Sequence, residues 1–149
     1  MERLLKKFNT AKTLVPEPVF GQSTQSSTMG LVYFGTTDIA IPETMNLLKS
    51  RGIQLDTMRI RAFPFCEDVV NFINDHEQVF LVEQNRDGQM RSLLITECEI
   101  DPAKIVPILN YDGFPIMMDL LCNGDPYIAY LVCYTTKCIS ATICRTASS

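Results

Sequence analysis

QVFLVEQNRDGQMRSLL, residues 78 to 94, sets the architecture. Its first six residues form an apolar run of strand length, and a run apolar on both faces belongs inside a covered, parallel sheet. Asn85, Arg86, Asp87, Gly88 and Gln89 then make a polar, turn-prone break. Met90, Leu93 and Leu94 follow at helical spacing, so a helix is expected from about Gly88 to Cys98. Strand, short loop and helix are the first half of a crossover unit.

The same alternation runs outward in both directions. Upstream, MGLVYFG (29 to 35) reads as a strand and TTDIAIPETMNLLKSRG (36 to 52) as a helix. In that helix Thr37 or Asp38 can cap, Pro42 sits in the first turn and Gly52 stops it. LDTMRIRAF (55 to 63) is the next strand, and PFCEDVVNFINDHE (64 to 77) the next helix, with Glu67 and Asp68 suited to its positive end. Downstream, a proline-limited strand is expected around Ile105 to Leu109. Alternation at this spacing implies right-handed crossovers and a mostly parallel sheet, hence a three-layer α/β/α domain. In such sheets ligands and partners meet the loops at the carboxyl ends of the strands. Three segments fall there: GTTD (35 to 38), AFPFCED (62 to 68) and EQNRDGQ (83 to 89).

The chain's ends read differently. Residues 1 to 14 form a basic amphipathic lead-in helix, with Arg3, Lys6, Lys7 and Lys12 against Glu2. VPEPVFGQSTQSST (15 to 28) breaks every regular pattern and reads as a linker, so the folded unit is expected over residues 29 to 121. Residues 122 to 149 make an atypical tail carrying four of the six cysteines.

Composition narrows the function classes. At 149 residues the chain has the size of one ordinary domain, with a core that needs no metal or disulfide staple. A net charge of −4 argues against nucleic acid as main partner, because a phosphate backbone rewards clustered Lys and Arg. No apolar run reaches the roughly 18–20 residues of a membrane span, and the N-terminus lacks the apolar stretch of a signal peptide. No membrane and a cytoplasmic location are therefore expected.

Standard catalytic machinery is absent. Neither G-x-G-x-x-G nor G-x-x-x-x-G-K-[ST] occurs. His76 is the one histidine, placed where it would close a helix. The tail cysteines do not form the paired spacing of structural zinc sites, and no metal ligands are assigned. Cys66 falls at a helix N-cap, where a thiol is either activated or merely a poor cap. Arg59 and Arg61 stand on a strand that should be apolar, which places that face near an edge, a cleft or another subunit, or simply in solvent.

The loop at 83 to 89 poses a sharper question. A turn explains Asn85, Asp87 and Gly88, with either Asn85 or Asp87 capping the helix. It does not explain Arg86 and Arg91, since a cation near a helix N-terminus is disfavoured by up to about 1 kcal/mol. A nearby anion removes the conflict. It can be Glu83, Asp87, a carboxylate of a partner chain or a phosphate-bearing ligand.

These residues carry a resemblance as well. RLLKKFNTAKTLVPEPV (3 to 19), YFGTTD (33 to 38), RIRAFPF (59 to 65), HEQVFLVEQNRDGQMRSLL (76 to 94) and NYDGFPI (110 to 116) resemble, in order and spacing, the C-terminal part of the alpha subunit of 2-oxoacid:ferredoxin oxidoreductases, the 2-oxoglutarate synthase type in particular. EQNRDGQMRSLL is the most specific piece. The resemblance implies a transketolase C-terminal-like domain, a three-layer sandwich with a mostly parallel sheet of about five strands. It implies an enzyme that oxidatively decarboxylates a 2-oxoacid to an acyl-CoA while reducing ferredoxin. Thiamine diphosphate, Mg2+ and iron–sulfur clusters would serve the whole enzyme and none would be bound by this domain alone. The partners implied are the remaining alpha-subunit domains and the beta subunit, with ferredoxin and coenzyme A reached through the complex. The chain would then be a fragment or a split gene product. No catalytic residue is assigned to it. Arg61, Asn85, Arg86, Asp87, Gly88, Gln89 and Arg91 are the expected binding or subunit-contact residues. A competing reading is a free-standing anion or coenzyme A module using the 85 to 91 loop, and a third is a thiol or metal protein acting through the tail.

Overall fold

The computed structural model describes residues 2–21 and 27–111. Expectations for residues 112–149, including the cysteine-rich tail, lie outside the described residues. In chain order the elements are helix α1 (Glu2–Lys12), strand β1 (Val19–Gly21), strand β2 (Met29–Phe34), helix α2 (Ile41–Ser50), strand β3 (Asp56–Ile60), helix α3 (Glu67–Asp75), strand β4 (Gln78–Glu83), helix α4 (Gln89–Cys98) and strand β5 (Ile105–Leu109). Two 3-10 turns, Gly35–Ile39 and Pro102–Lys104, lead into α2 and β5.

The five strands form one sheet in the order β1-β3-β2-β4-β5. β3, β2, β4 and β5 run parallel, and β1 pairs antiparallel with β3. Side chains alternate across the sheet and build two cores. On one face Leu31, Tyr33, Phe80 and Val82 pack with Ile41 and Leu48 of α2. On the other, Val32, Met58, Val79 and Leu81 pack with Val69 and Ile73 of α3 and Leu94 of α4. The mostly parallel α/β/α sandwich is therefore the observed architecture. Each buried Leu, Ile, Val or Phe contributes roughly 1.5–3 kcal/mol.

One feature departs from expectation. Val19–Gly21, read as linker, is the fifth strand, with Val19 opposite Arg59 and Gly21 opposite Thr57. Proline, glycine and serine around it hide a three-residue edge strand that has no periodicity to show. Further packing continues beyond it: Ser27 Oγ donates to the Gln54 carbonyl at 2.9 Å. α1, by contrast, buries none of its residues, and Phe8 meets Phe63 edge-on at 6.4 Å.

Gly30, in the centre of the sheet, allows a close approach. A Cβ there would stand 2.8 Å from Phe72 and 3.3 Å from His76. Phe72 cannot retreat freely, because its ring lies 4.3 Å from the His76 ring and 5.8 Å from the Phe20 ring.

Candidate functional site

β2 and β4 are the neighbours at which the chain reverses its direction of travel across the sheet. Their carboxyl ends carry the Gly35–Ile39 turn and the loop that starts at Glu83. The loop is held from inside. Glu83, the last residue of β4, is 0% exposed. Its Oε2 accepts from the Met90 amide at 2.8 Å and from Asn85 Nδ2 at 2.8 Å, and its Oε1 accepts from the Arg91 amide at 2.9 Å. Met90 and Arg91 belong to the first turn of α4, whose N–H groups have no partner within the helix. A carboxylate there is favoured by the helix dipole, and three N–H donors offset the cost of burying it.

Asn85 completes the turn. Its Oδ1 accepts from the Asp87 amide at 3.1 Å and the Gln89 amide at 3.3 Å. Gly88 turns the chain into the helix with φ +61, a left-handed conformation that suits glycine. Of the two cap candidates, Asn85 acts on the backbone while the Asp87 carboxylate faces Arg86. Across the neighbouring strand end, Gln84 Nε2 donates to Thr36 Oγ1 at 3.2 Å and Thr37 Oγ1 at 3.1 Å.

The two arginines part company. Arg91 Nε donates to the Ile105 carbonyl at 3.0 Å and its Nη2 to the Pro102 carbonyl at 2.7 Å. It thereby clamps α4 to the start of β5. Arg86 Nε donates to Asp87 Oδ1 at 2.7 Å, with the two side chains 75% and 56% exposed. Of the anions open from the sequence, Glu83 takes the helix amides and Asp87 takes Arg86. Arg61 stands apart from this cluster, exposed just beyond β3, and Gln89 is also exposed. Arg59 does not face solvent alone, since its Nη1 lies 2.7 Å from Asp38 Oδ2. Burial, and then the Asp38 charge and hydrogen bond, raise the Tyr33 phenol above its usual 10.0, with Arg59 opposing.

His76 is buried at the end of α3, with Nδ1 2.6 Å from the Phe72 carbonyl and Nε2 3.4 Å from Asp56 Oδ2. Neither nitrogen bonds a serine or cysteine, so the ring ties helix to sheet. Cys66 occupies the N-cap of α3 without a side-chain cap bond. It lines a cavity of about 360 Å3 with Cys98, Lys12 and Glu97. Burial pushes the Cys98 thiol up, Lys12 opposes and Glu97 adds to the rise. Among the described residues no three His, Cys, Asp or Glu side chains gather as a metal site, and no helix is long and apolar enough to cross a membrane.

Sequence comparison supplies the context. No family model matches the chain. Subunit alpha of 2-oxoacid:ferredoxin oxidoreductase 2 from Aeropyrum pernix is 28% identical over 109 residues, which cover 70% of this chain. The chain is similar to a 2-oxoacid:ferredoxin oxidoreductase alpha subunit. It spans 17% of that relative's length. Its fold matches the 2-oxoglutarate:ferredoxin oxidoreductase from Magnetococcus marinus, solved with 2-oxoglutarate, coenzyme A and succinyl-CoA bound. The TM-score is 0.66 at 20% identity, covering 77% of this chain and 20% of that one. The alpha chain of a probable 2-oxoacid ferredoxin oxidoreductase from Thermoplasma acidophilum aligns at 24% identity with a TM-score of 0.44, covering 70% of this chain and 89% of that one. The α/β architecture anticipated from the strand–helix alternation is thus shared with an enzyme of this kind.

Proposed function

We propose that the chain is a domain of the alpha subunit of a 2-oxoacid:ferredoxin oxidoreductase, with 2-oxoglutarate the favoured 2-oxoacid. Such an enzyme oxidatively decarboxylates a 2-oxoacid to an acyl-CoA and passes the electrons to ferredoxin. The observation that carries this reading is the 109-residue similarity to an alpha subunit of that class. Within the enzyme this domain is structural and subunit-contacting, and its partners are the remaining alpha domains and the beta subunit. The contact surface comprises Arg61 and the loop from Asn85 to Arg91, in which Arg91 shapes the loop from behind. The chain works in the cytoplasm.

The described residues do not fit a metal cofactor, because no cluster of ligating side chains gathers among them. As the resemblance implies, thiamine diphosphate, Mg2+ and iron–sulfur clusters are assigned to the rest of the enzyme, and no chemical step is placed on this chain. The free-standing anion module loses its motive, since the helix amides and Arg91 already have partners inside the chain.

Reconstitution tests the proposal. The full chain is mixed with the remaining part of its cognate alpha subunit and the beta subunit. Co-elution, together with 2-oxoacid-dependent ferredoxin reduction that requires the chain, is the expected result. No complex, with ferredoxin reduction the same in its absence, refutes it.

A further inference from the structure

Cys66 and Cys98 are the two cysteines among the described residues, and both are free and half-buried. They belong to different helices yet line the same cavity of about 360 Å3. We propose that they are a redox pair, which hydrogen peroxide closes into a disulfide joining the start of α3 to the end of α4. Nothing in this depends on the function proposed above.

Three observations bring the sulfurs together. First, both side chains pack against one core, the one that α3 and α4 build on the same face of the sheet. Second, the cavity they line opens beside Lys12 and Glu97, so a small oxidant entering it meets both thiols. Third, the two are near enough that the charge of Cys66 acts on Cys98. A disulfide needs Cα atoms about 4.4–6.8 Å apart. Both residues sit where the backbone can give. Cys66 is the N-cap of α3 and makes no side-chain cap bond, and Cys98 is the last residue of α4, just before the left-handed Glu99. Helix ends fray, so neither sulfur is locked against closing to that range.

The two thiols have different parts. Burial, the largest influence on Cys98, holds it in the thiol form, so Cys66 meets peroxide first. Its sulfur attacks one peroxide oxygen and the O–O bond breaks. Cys66 becomes a sulfenic acid, and the departing hydroxide leaves with the thiol proton as water. Cys98 then attacks the sulfenic sulfur. The S–S bond forms, the S–O bond breaks, and the second hydroxide takes the Cys98 proton as another water. Each sulfur gives up one electron, and peroxide is reduced to two waters. Lys12 favours the negative sulfur of Cys98 during its attack. The bond encloses β4 and the loop after it, because both lie between Cys66 and Cys98 in the chain.

Peptide mapping tests the pair. The full reduced chain is treated with hydrogen peroxide, its remaining thiols are alkylated, and it is cut with trypsin without reductant. The peptide from Ala62 to Arg86 should be joined to the peptide from Ser92 to Lys104, and a reductant should part them. In urea the same oxidation should spread Cys66 over the other five cysteines. The linked chain should unfold at a urea midpoint roughly 1–2 M above the reduced one. Cys98→Ser should leave a Cys66 sulfenic acid that dimedone traps, whereas the wild type consumes it by forming the disulfide. Replacing Cys122, Cys133, Cys138 and Cys144 together by serine should leave the link intact. Two unreacted thiols, or Cys66 spread over the other cysteines in the folded chain as it is in urea, overturns the proposal. The wild-type map decides even where a variant fails to fold.

Discussion

Arg86 and Arg91 look alike in sequence, five residues apart in one polar loop, and the structure gives them opposite jobs. Replacing each by methionine separates them. Methionine keeps the apolar stem and removes the guanidinium. In Arg91→Met two hydrogen bonds to the carbonyls of Ile105 and Pro102 disappear. A bond from a charged donor contributes about 1.5–3 kcal/mol when sheltered. The Ile105 bond is partly buried and falls in that range. The Pro102 bond is exposed, where water replaces most of it. Together they amount to about 2 kcal/mol. Arg86→Met breaks an ion pair whose members are 75% and 56% exposed, and such pairs contribute about 0–0.5 kcal/mol. Equilibrium urea unfolding reads the difference. With a slope of about 2 kcal/mol per molar, Arg91→Met lowers the midpoint by roughly 1 M and Arg86→Met by under about 0.3 M. Equal shifts, or a larger shift for Arg86→Met, would show that the clamp onto β5 is not what Arg91 does.

Three other outcomes follow from the same coordinates. Gly30→Ala should destabilise the chain by about 1–3 kcal/mol through its clash with the boxed-in Phe72 ring, and adding Phe72→Leu should recover part of the loss in a double-mutant cycle. A neutral Gly30→Ala defeats that account. Tyr33 has a raised phenol in the fold, so the unfolded chain ionises first as pH climbs past 10.0, and stability falls until Tyr33 itself ionises. Tyr33→Phe removes this source of loss, and urea midpoints from about pH 9 to 11 should decline less steeply for the variant than for the wild type. Cys98, raised chiefly by burial, should react with a thiol reagent at pH 8 more slowly in the folded chain than in urea, read by peptide mass spectrometry. Equal rates would contradict the burial seen here.

The sheet's parallel strands were largely legible in the sequence. QVFLVE and IVPIL show as strands because they are apolar and bounded by polar or proline-bearing segments, and both are strands over those residues. The helices were legible too, with ends displaced by a few residues. The expected helix over 36 to 52 begins as a 3-10 turn and becomes α-helical at Ile41, beside Pro42. β1 was missed because three exposed residues carry no pattern, and its pairing with β3 is a tertiary fact. At the loop, Asn85 and Gly88 announced a turn. Glu83 was open as one of several anions, but its burial depends on α4 folding back over the strand end. Gln84 gave no signal at all, since its partners Thr36 and Thr37 lie more than forty-five residues away in sequence.

The two margins of the sheet bear on how the chain behaves in company with its own kind. Among the described residues one margin is β1, three residues long, and the other is β5, whose Pro107 has no N–H to offer. Both are poor templates for another strand. These two margins therefore offer little purchase for stacking edge to edge into fibrils, even while the apolar strands between them await their covering helices during folding.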